Sequence, residues 1–195
     1  VSGHVFLRHP PLPQMRGRCY GRLDVALPSE VFASAAASLR ADAPDHALWS
    51  LPVISSPAQR CHGLAQACAN GRNIATDARL LEMDFGDWEN QVWSDVPREA
   101  LDRWACDVAG FRPPGGESFA DLIARVGAAL DALSGPHLIV AHAGVVRAAT
   151  HLLGAVPRAE AATIEVPYLQ PIGFRPADEW SRMLRPAPVV GAAPT

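Results

Sequence analysis

The 195-residue sequence predicts an α/β domain, a three-layer sandwich whose central sheet is mostly parallel. Three observations predict it. Short apolar runs alternate with helical stretches along the chain, the pattern of strand-helix-strand units. Two of those runs end in histidine: His9 follows Val5-Phe6-Leu7-Arg8, and His142 follows Leu138-Ile139-Val140-Ala141. A third runs into Ser55-Ser56-Pro57, where serine and proline mark the start of a helix. The length suits one sizeable domain and is short for two. Residues 1–185 are assigned to that domain, and residues 186–195, rich in Pro and Ala, to a frayed tail.

The elements follow in order. Residues 3–7 form the first strand, and Pro10 pushes His9 toward extended geometry, so the strand finishes there. The Pro-, Gly- and Arg-rich stretch 11–27 is long for a plain connection and reads as a working loop. Pro28-Ser29 opens an alanine-rich helix to about residue 40. Residues 51–55 are the second strand, and the helix after it has Ser56 at its N-cap, runs to about residue 70 and stops at Gly71. Residues 80–89 are acidic and aromatic without a clean period, a loop near a surface or cleft. Residues 93–106 are read as helical, and Pro113-Pro114-Gly115-Gly116 breaks the chain. Ser118 with Asp121 resembles a capping box opening an amphipathic helix. Its apolar face is Leu122, Ile123, Val126, Ala129, Leu130 and Leu133, and Gly135-Pro136 ends it. Residues 138–141 make a third strand, 144–153 a helix and 163–166 a further strand.

Apolar residues make up 49% of the chain and charged residues 19%, which argues against extensive disorder. A net charge of −3 without a basic tract gives no reason to expect nucleic acid. No apolar run nears the ~18 residues of a membrane span, and no signal-peptide pattern opens the chain. No membrane partner is therefore expected, and the cytoplasm is the expected compartment for a chain beginning near this N-terminus. The four cysteines, Cys19, Cys61, Cys68 and Cys106, form no C-x-x-C pair, which argues against a zinc ribbon or thioredoxin-type site. Cys61 and Cys68 share a helix face, and all four read as buried free thiols.

In open parallel sheets ligands bind beyond the carboxyl ends of the strands. That rule brings Arg8, His9, Arg60 and His142 to one edge, with helix N-termini near Pro57 and Gly144 aimed at the same place. Two arginines, two histidines and helix N-termini suit a phosphate. Arginine presents a planar fork to two phosphoryl oxygens, and neighbouring cations keep a histidine in its neutral, nucleophilic form. Such an imidazole can attack phosphorus and split one hard step into two. A carboxylic acid must protonate the leaving oxygen: Glu82 is the choice, with Asp84 and Glu89 equally open on spacing alone.

Five segments in order resemble the histidine phosphatase family, to which the phosphoglycerate mutases also belong. Leu7-Arg8-His9 is similar to its opening Arg-His-Gly signature, and Ser55-Ser56-Pro57-Ala58-Gln59-Arg60 to its Ser-Pro-x-x-Arg motif. Leu81-Glu82 through Phe85-Gly86-Asp87-Trp88-Glu89 resembles the motif carrying the proton donor. Pro114-Gly115-Gly116-Glu117-Ser118 matches a family turn, and Val140-Ala141-His142-Ala143-Gly144-Val145-Val146-Arg147 the second-histidine motif. The resemblance covers residues 3–166 and implies a phosphoglycerate mutase-like fold. It implies His9 as phosphorylated nucleophile, Glu82 as proton donor, and Arg8, Arg60 and His142 as phosphate ligands, all five counted catalytic. Tyr20, Gly21 and Ala143 are implied substrate contacts. Cys19-Tyr20-Gly21-Arg22-Leu23-Asp24 resembles the alpha-ribazole phosphatase branch, which acts late in cobalamin synthesis. Three departures stand out. Pro10 replaces the signature glycine and removes an N–H, Asn90 replaces a glycine after Trp-Glu, and the mutase Ser and Asn positions are not recognisable in residues 10–14.

The expectation is a phosphomonoesterase acting on a small phosphorylated metabolite, with no cofactor and no metal. The sequence leaves room for a homodimer. A phosphoglycerate mutase is the nearest rival, and a non-catalytic phospho-ligand-binding regulatory domain is the rival from another class. A metal site on His9, His142 and nearby acids is disfavoured because two flanking arginines would repel a cation.

Overall fold

The computed structural model describes residues 3–43 and 47–174; the predicted tail at 186–195 lies outside the described residues. Five strands form one sheet: β1 (Val5–Arg8), β2 (Val53–Ser55), β3 (Ile74–Thr76), β4 (Leu138–Ala141) and β5 (Pro171–Gly173), in the order β3-β2-β4-β1-β5. Every neighbouring pair is parallel except β1 with β5. The α/β class and the mostly parallel sheet are as the sequence predicts.

Period-two side chains on the inner strands divide the core between two faces. Val5, Leu7, Val53, Leu138 and Val140 meet α1 (Ser29–Asp42) and α2 (Gln59–Ala69), which supply Phe32, Leu39, Leu64 and Cys68. Phe6, Ile54, Ile139 and Ala141 point the other way, onto α4 (Phe119–Asp131) and α5 (Ala143–Gly154). These are the three expected layers, with α1 packed on α2 and α4 on α5. The capping box at Ser118 and Asp121 is present in both directions and starts α4 at the next residue. A smaller cluster of Cys19, Trp88, Val96 and Ala100, joined by Trp93, Trp104 and Phe111, lies under the loops and beside α3 (Arg98–Cys106). The short α6 (Arg158–Ala161) follows α5.

Several expectations need correction. Two strands escape the sequence pattern, β3 and β5. Both lie at the sheet's edges: β3 is largely exposed and so carries no apolar run, and β5 holds a proline and a glycine, which edge strands tolerate. Residues 163–166 are not a strand: Thr163 lies in the turn that ends α6, Ile164 makes a single isolated bridge and the rest is irregular. α2 begins at Gln59, so Ser56 and Pro57 precede it, and Ser56 is not its cap. α3 begins only after Pro97, with a separate 3₁₀ turn over Trp93–Asp95. Cys19, Cys61 and Cys68 are buried as expected, but Cys106 is exposed at the last turn of α3.

Candidate active site

The register of β1, β2 and β4 sets His9, Ser56 and His142 side by side, each one residue past a strand's carboxyl end. Backbone bonds continue the ladder there: His9 N–H donates to Ala141 O at 3.1 Å and Ser56 N–H to Val140 O at 3.0 Å. The two imidazole rings stand edge to face with centroids 5.3 Å apart, and both residues are buried.

His9 has a defined tautomer. Its Nδ1 lies 2.7 Å from Pro10 O, and a carbonyl can only accept, so Nδ1 carries the proton and Nε2 is left bare. Burial, reinforced by the charge of Arg60 and then Arg8, pulls its pKa down to about 3 against the opposing Pro10 bond. Pro10 therefore lacks the N–H of a glycine yet supplies the acceptor that orients the imidazole. His142 is driven well below the usual histidine range by burial, then by Arg60 and His9. Its Nε2 pairs with Ser56 Oγ at 2.9 Å, and the Cys61 thiol packs beside the ring at 3.5 Å while donating to Ala141 O.

Both expected arginines reach this edge. Arg60, fully buried in the first turn of α2, donates to Gly21 O at 2.6 Å and Leu23 O at 2.7 Å. Arg8 donates to Val166 O at 2.6 Å and stacks on the Tyr168 ring, 3.5 Å from its centroid. The Nε of each is buried with no hydrogen-bond partner, and each guanidinium keeps N–H donors beyond those its backbone bonds use. Tyr20 pairs its hydroxyl with that of Tyr168 at 3.1 Å, and its ring faces Arg60. Burial pushes the Tyr20 phenol up to about 12, followed by its bond to Tyr168. Gly21 has both backbone polar groups engaged with protein, and a Cβ there would sit 1.9 Å from Met83 O. Ala143 is buried as the first residue of α5.

The three acids separate by their partners. Glu89 accepts from the N–H groups of Gly21, Arg22, Leu23 and Phe85, so it staples the 21–23 loop and has no oxygen to spare. Asp84 caps Gly86 N–H. Glu82 instead reaches the amino end of α5, where Gly144 N–H donates to Oε2 at 3.1 Å, two residues from His142. That N–H, expected to be free, is thus held by Glu82. A Cβ at Gly144 would lie 2.2 Å from Glu82 Oε1, so the glutamate keeps this position only beside a glycine.

Sequence reasoning missed Tyr168, Ser56 as the partner of His142, and the pairing of Glu117 with Arg125. Burial pushes the Glu117 carboxyl up, but Arg125, the Asp84 N–H and Arg22 outweigh it and hold it below the usual range. No spacing rule points to Tyr168, whereas Glu117 sits inside the quoted Pro-Gly-Gly-Glu-Ser turn. Among the described residues no three His, Cys, Asp or Glu side chains group so as to hold a metal ion, and no helix is long and apolar enough to cross a membrane.

Known proteins resemble this chain in sequence and in fold. The sequence pattern of the histidine phosphatase superfamily (branch 1) matches residues 5–180. A bifunctional protein of Mycobacterium tuberculosis is 38% identical over 79 residues, which is 38% of this chain and 21% of that protein. The chain thus spans about a fifth of the length of such curated relatives. A mycobacterial glucosyl-3-phosphoglycerate phosphatase in complex with VO3 superimposes with a TM-score of 0.70 at 27% identity, covering 86% of this chain and 90% of that one. A phosphoglycerate mutase from Thermus thermophilus gives 0.68 at 27% identity, covering 93% and 95%.

Proposed function

Because the chain belongs to the histidine phosphatase superfamily (branch 1), we propose that it hydrolyses phosphate monoesters through a phosphohistidine on His9. The observation that carries this reading is the bare Nε2 of a buried, neutral imidazole whose proton is pinned to Pro10 O. Its lone pair attacks phosphorus while the ester P–O bond breaks, and Glu82 gives its proton to the departing oxygen. Water then attacks the phosphohistidine, Glu82 takes up the water proton, the P–N bond breaks and inorganic phosphate leaves. Arg8, Arg60 and His142 hold the non-bridging oxygens, where charge accumulates in transfer. The two guanidinium groups are charged, planar donors of the kind those oxygens need.

Small phosphorylated metabolites are the substrate class. Tyr20 and Gly21, beside Arg60, and Ala143, next to His142, are the residues we assign to substrate contact. Within that class alpha-ribazole phosphate is the first candidate, resting on Cys19-Tyr20-Gly21-Arg22-Leu23-Asp24 alone.

Hydrolysis of p-nitrophenyl phosphate in EDTA by the wild type and by His9→Ala tests the reading. Turnover that resists the chelator and vanishes in the variant is expected. Undiminished turnover in His9→Ala would overturn the mechanism. Phosphate release from enzyme charged with a bisphosphoglycerate separates hydrolase from mutase: rapid release is expected, and retention until an acceptor alcohol arrives would make it a mutase.

A further inference from the structure

Glu82 has a neighbour that the phosphatase reading leaves without a role. The Arg125 guanidinium, projecting from the middle of α4, donates to Arg79 O at 2.7 Å, Leu81 O at 2.6 Å and Glu82 O at 2.9 Å. It also pairs with both carboxylate oxygens of Glu117, at 2.5 and 3.1 Å. Glu117 in turn accepts from Asp84 N–H through Oε1 at 2.9 Å, while its own N–H donates to Asp84 O at 2.9 Å. Asp87 N–H donates to Pro114 O at 2.8 Å.

The two loops are therefore joined backbone to backbone. Their glycines permit it: a Cβ on Gly86 would lie 2.1 Å from Pro114 O, and one on Gly116 would lie 2.4 Å from Asp84 O. Residues 81–84 have no helix or strand of their own. Besides the carboxylate's bonds to the Met83 and Gly144 N–H groups and the burial of Leu80 and Met83 in the core, what fixes Glu82 is this frame.

We propose that Arg125 and Glu117, with residues 114–116, form a positioning frame that holds Glu82 at the leaving oxygen. This rests on Glu82 being the proton donor. The frame fixes the backbone on both sides of the acid, so its loss lets the carboxyl shift by up to about an ångström. Displacements of that size slow a positioned reaction by up to about 100-fold. Lysine at 125 keeps the charge but cannot supply five bonds from one planar fork.

The test compares Glu82→Gln, Arg125→Lys and Glu117→Gln on two esters, p-nitrophenyl phosphate and a simple alkyl phosphate. The p-nitrophenolate departs with little help, whereas an alkoxide needs the proton. Expected is a selective loss on the alkyl ester: largest in Glu82→Gln, about 10–100-fold in Arg125→Lys and smaller in Glu117→Gln. Inorganic phosphate inhibition should stay near the wild-type value. Selective loss in Glu82→Gln without it in the other two would overturn the frame while sparing the acid. An equal loss on both esters in Arg125→Lys and Glu117→Gln would reduce the pair to a stability role and overturn the frame as well. No selective loss in Glu82→Gln itself would remove Glu82 as the donor, and the frame with it.

Discussion

His9 and His142 reach the site on parallel strands β1 and β4, whereas Glu82 reaches it on a loop with no regular structure. The histidines are placed by the sheet: their spacing follows from strand register, and the strands are sealed by cores on both faces. Glu82 is placed by side chains, with Arg125 and Glu117 holding its backbone and Gly144 N–H its carboxylate. The difference teaches that the nucleophile half of the site is as stable as the fold. The acid half depends on the buried side chains of Leu80 and Met83 at its base, on a few polar contacts and on glycines that permit close approach.

Gly144→Ala offers the sharpest way to separate the two. The new methyl would collide with Glu82 Oε1 and leave the strand ends alone. Turnover of an alkyl phosphate should fall about 100-fold, the scale of an ångström displacement, with vanadate or phosphate inhibition preserved. Steady-state kinetics with inhibition constants check this. An equal loss of phosphate affinity would mean that the halves are not independent.

Acid should act on the histidine half. His9 is lowered to about 3 in the fold from 6.5, and His142 is lowered as well. Between those values the unfolded chain binds protons that the folded chain refuses. Stability is therefore complete above about 6.5 and is lost as pH falls through that window. The slope is at most about 1.4 kcal/mol per pH unit for each histidine. Denaturant midpoints at pH 7 and 5 should show the drop, and His9→Gln should show less of it. A pH-independent midpoint would contradict the burial argument.

What the sequence disclosed follows the same divide. His9 and His142 were legible because a strand that ends in a polar residue announces itself by apolar periodicity, and topology then places the ends together. The capping box at Ser118 and Asp121 was legible because it is local. Glu82, Asp84 and Glu89 could not be ranked on spacing, since what sets Glu89 and Glu82 apart is N–H groups from residues 21–23 and 144, far away in the chain. Tyr168 was invisible for the same reason: its contacts with Arg8 and Tyr20 span nearly the whole domain. Edge strands β3 and β5 lacked the burial that creates a pattern.

The smallest expected effect lies upstream of the acid half. Ser118→Ala removes the cap of α4, the helix that carries Arg125, and should cost about 1 kcal/mol of stability with little change in turnover. Thermal unfolding beside activity checks it; a large activity loss at unchanged stability would show the capping box to be part of the acid frame.

The central claim is that phosphate passes through His9. Brief mixing with a radiolabelled phosphate monoester, followed by a denaturing quench, tests it most directly. Wild-type enzyme should carry an acid-labile, alkali-stable label that His9→Ala lacks. Label of the same stability in His9→Ala, together with turnover, would place the chemistry elsewhere.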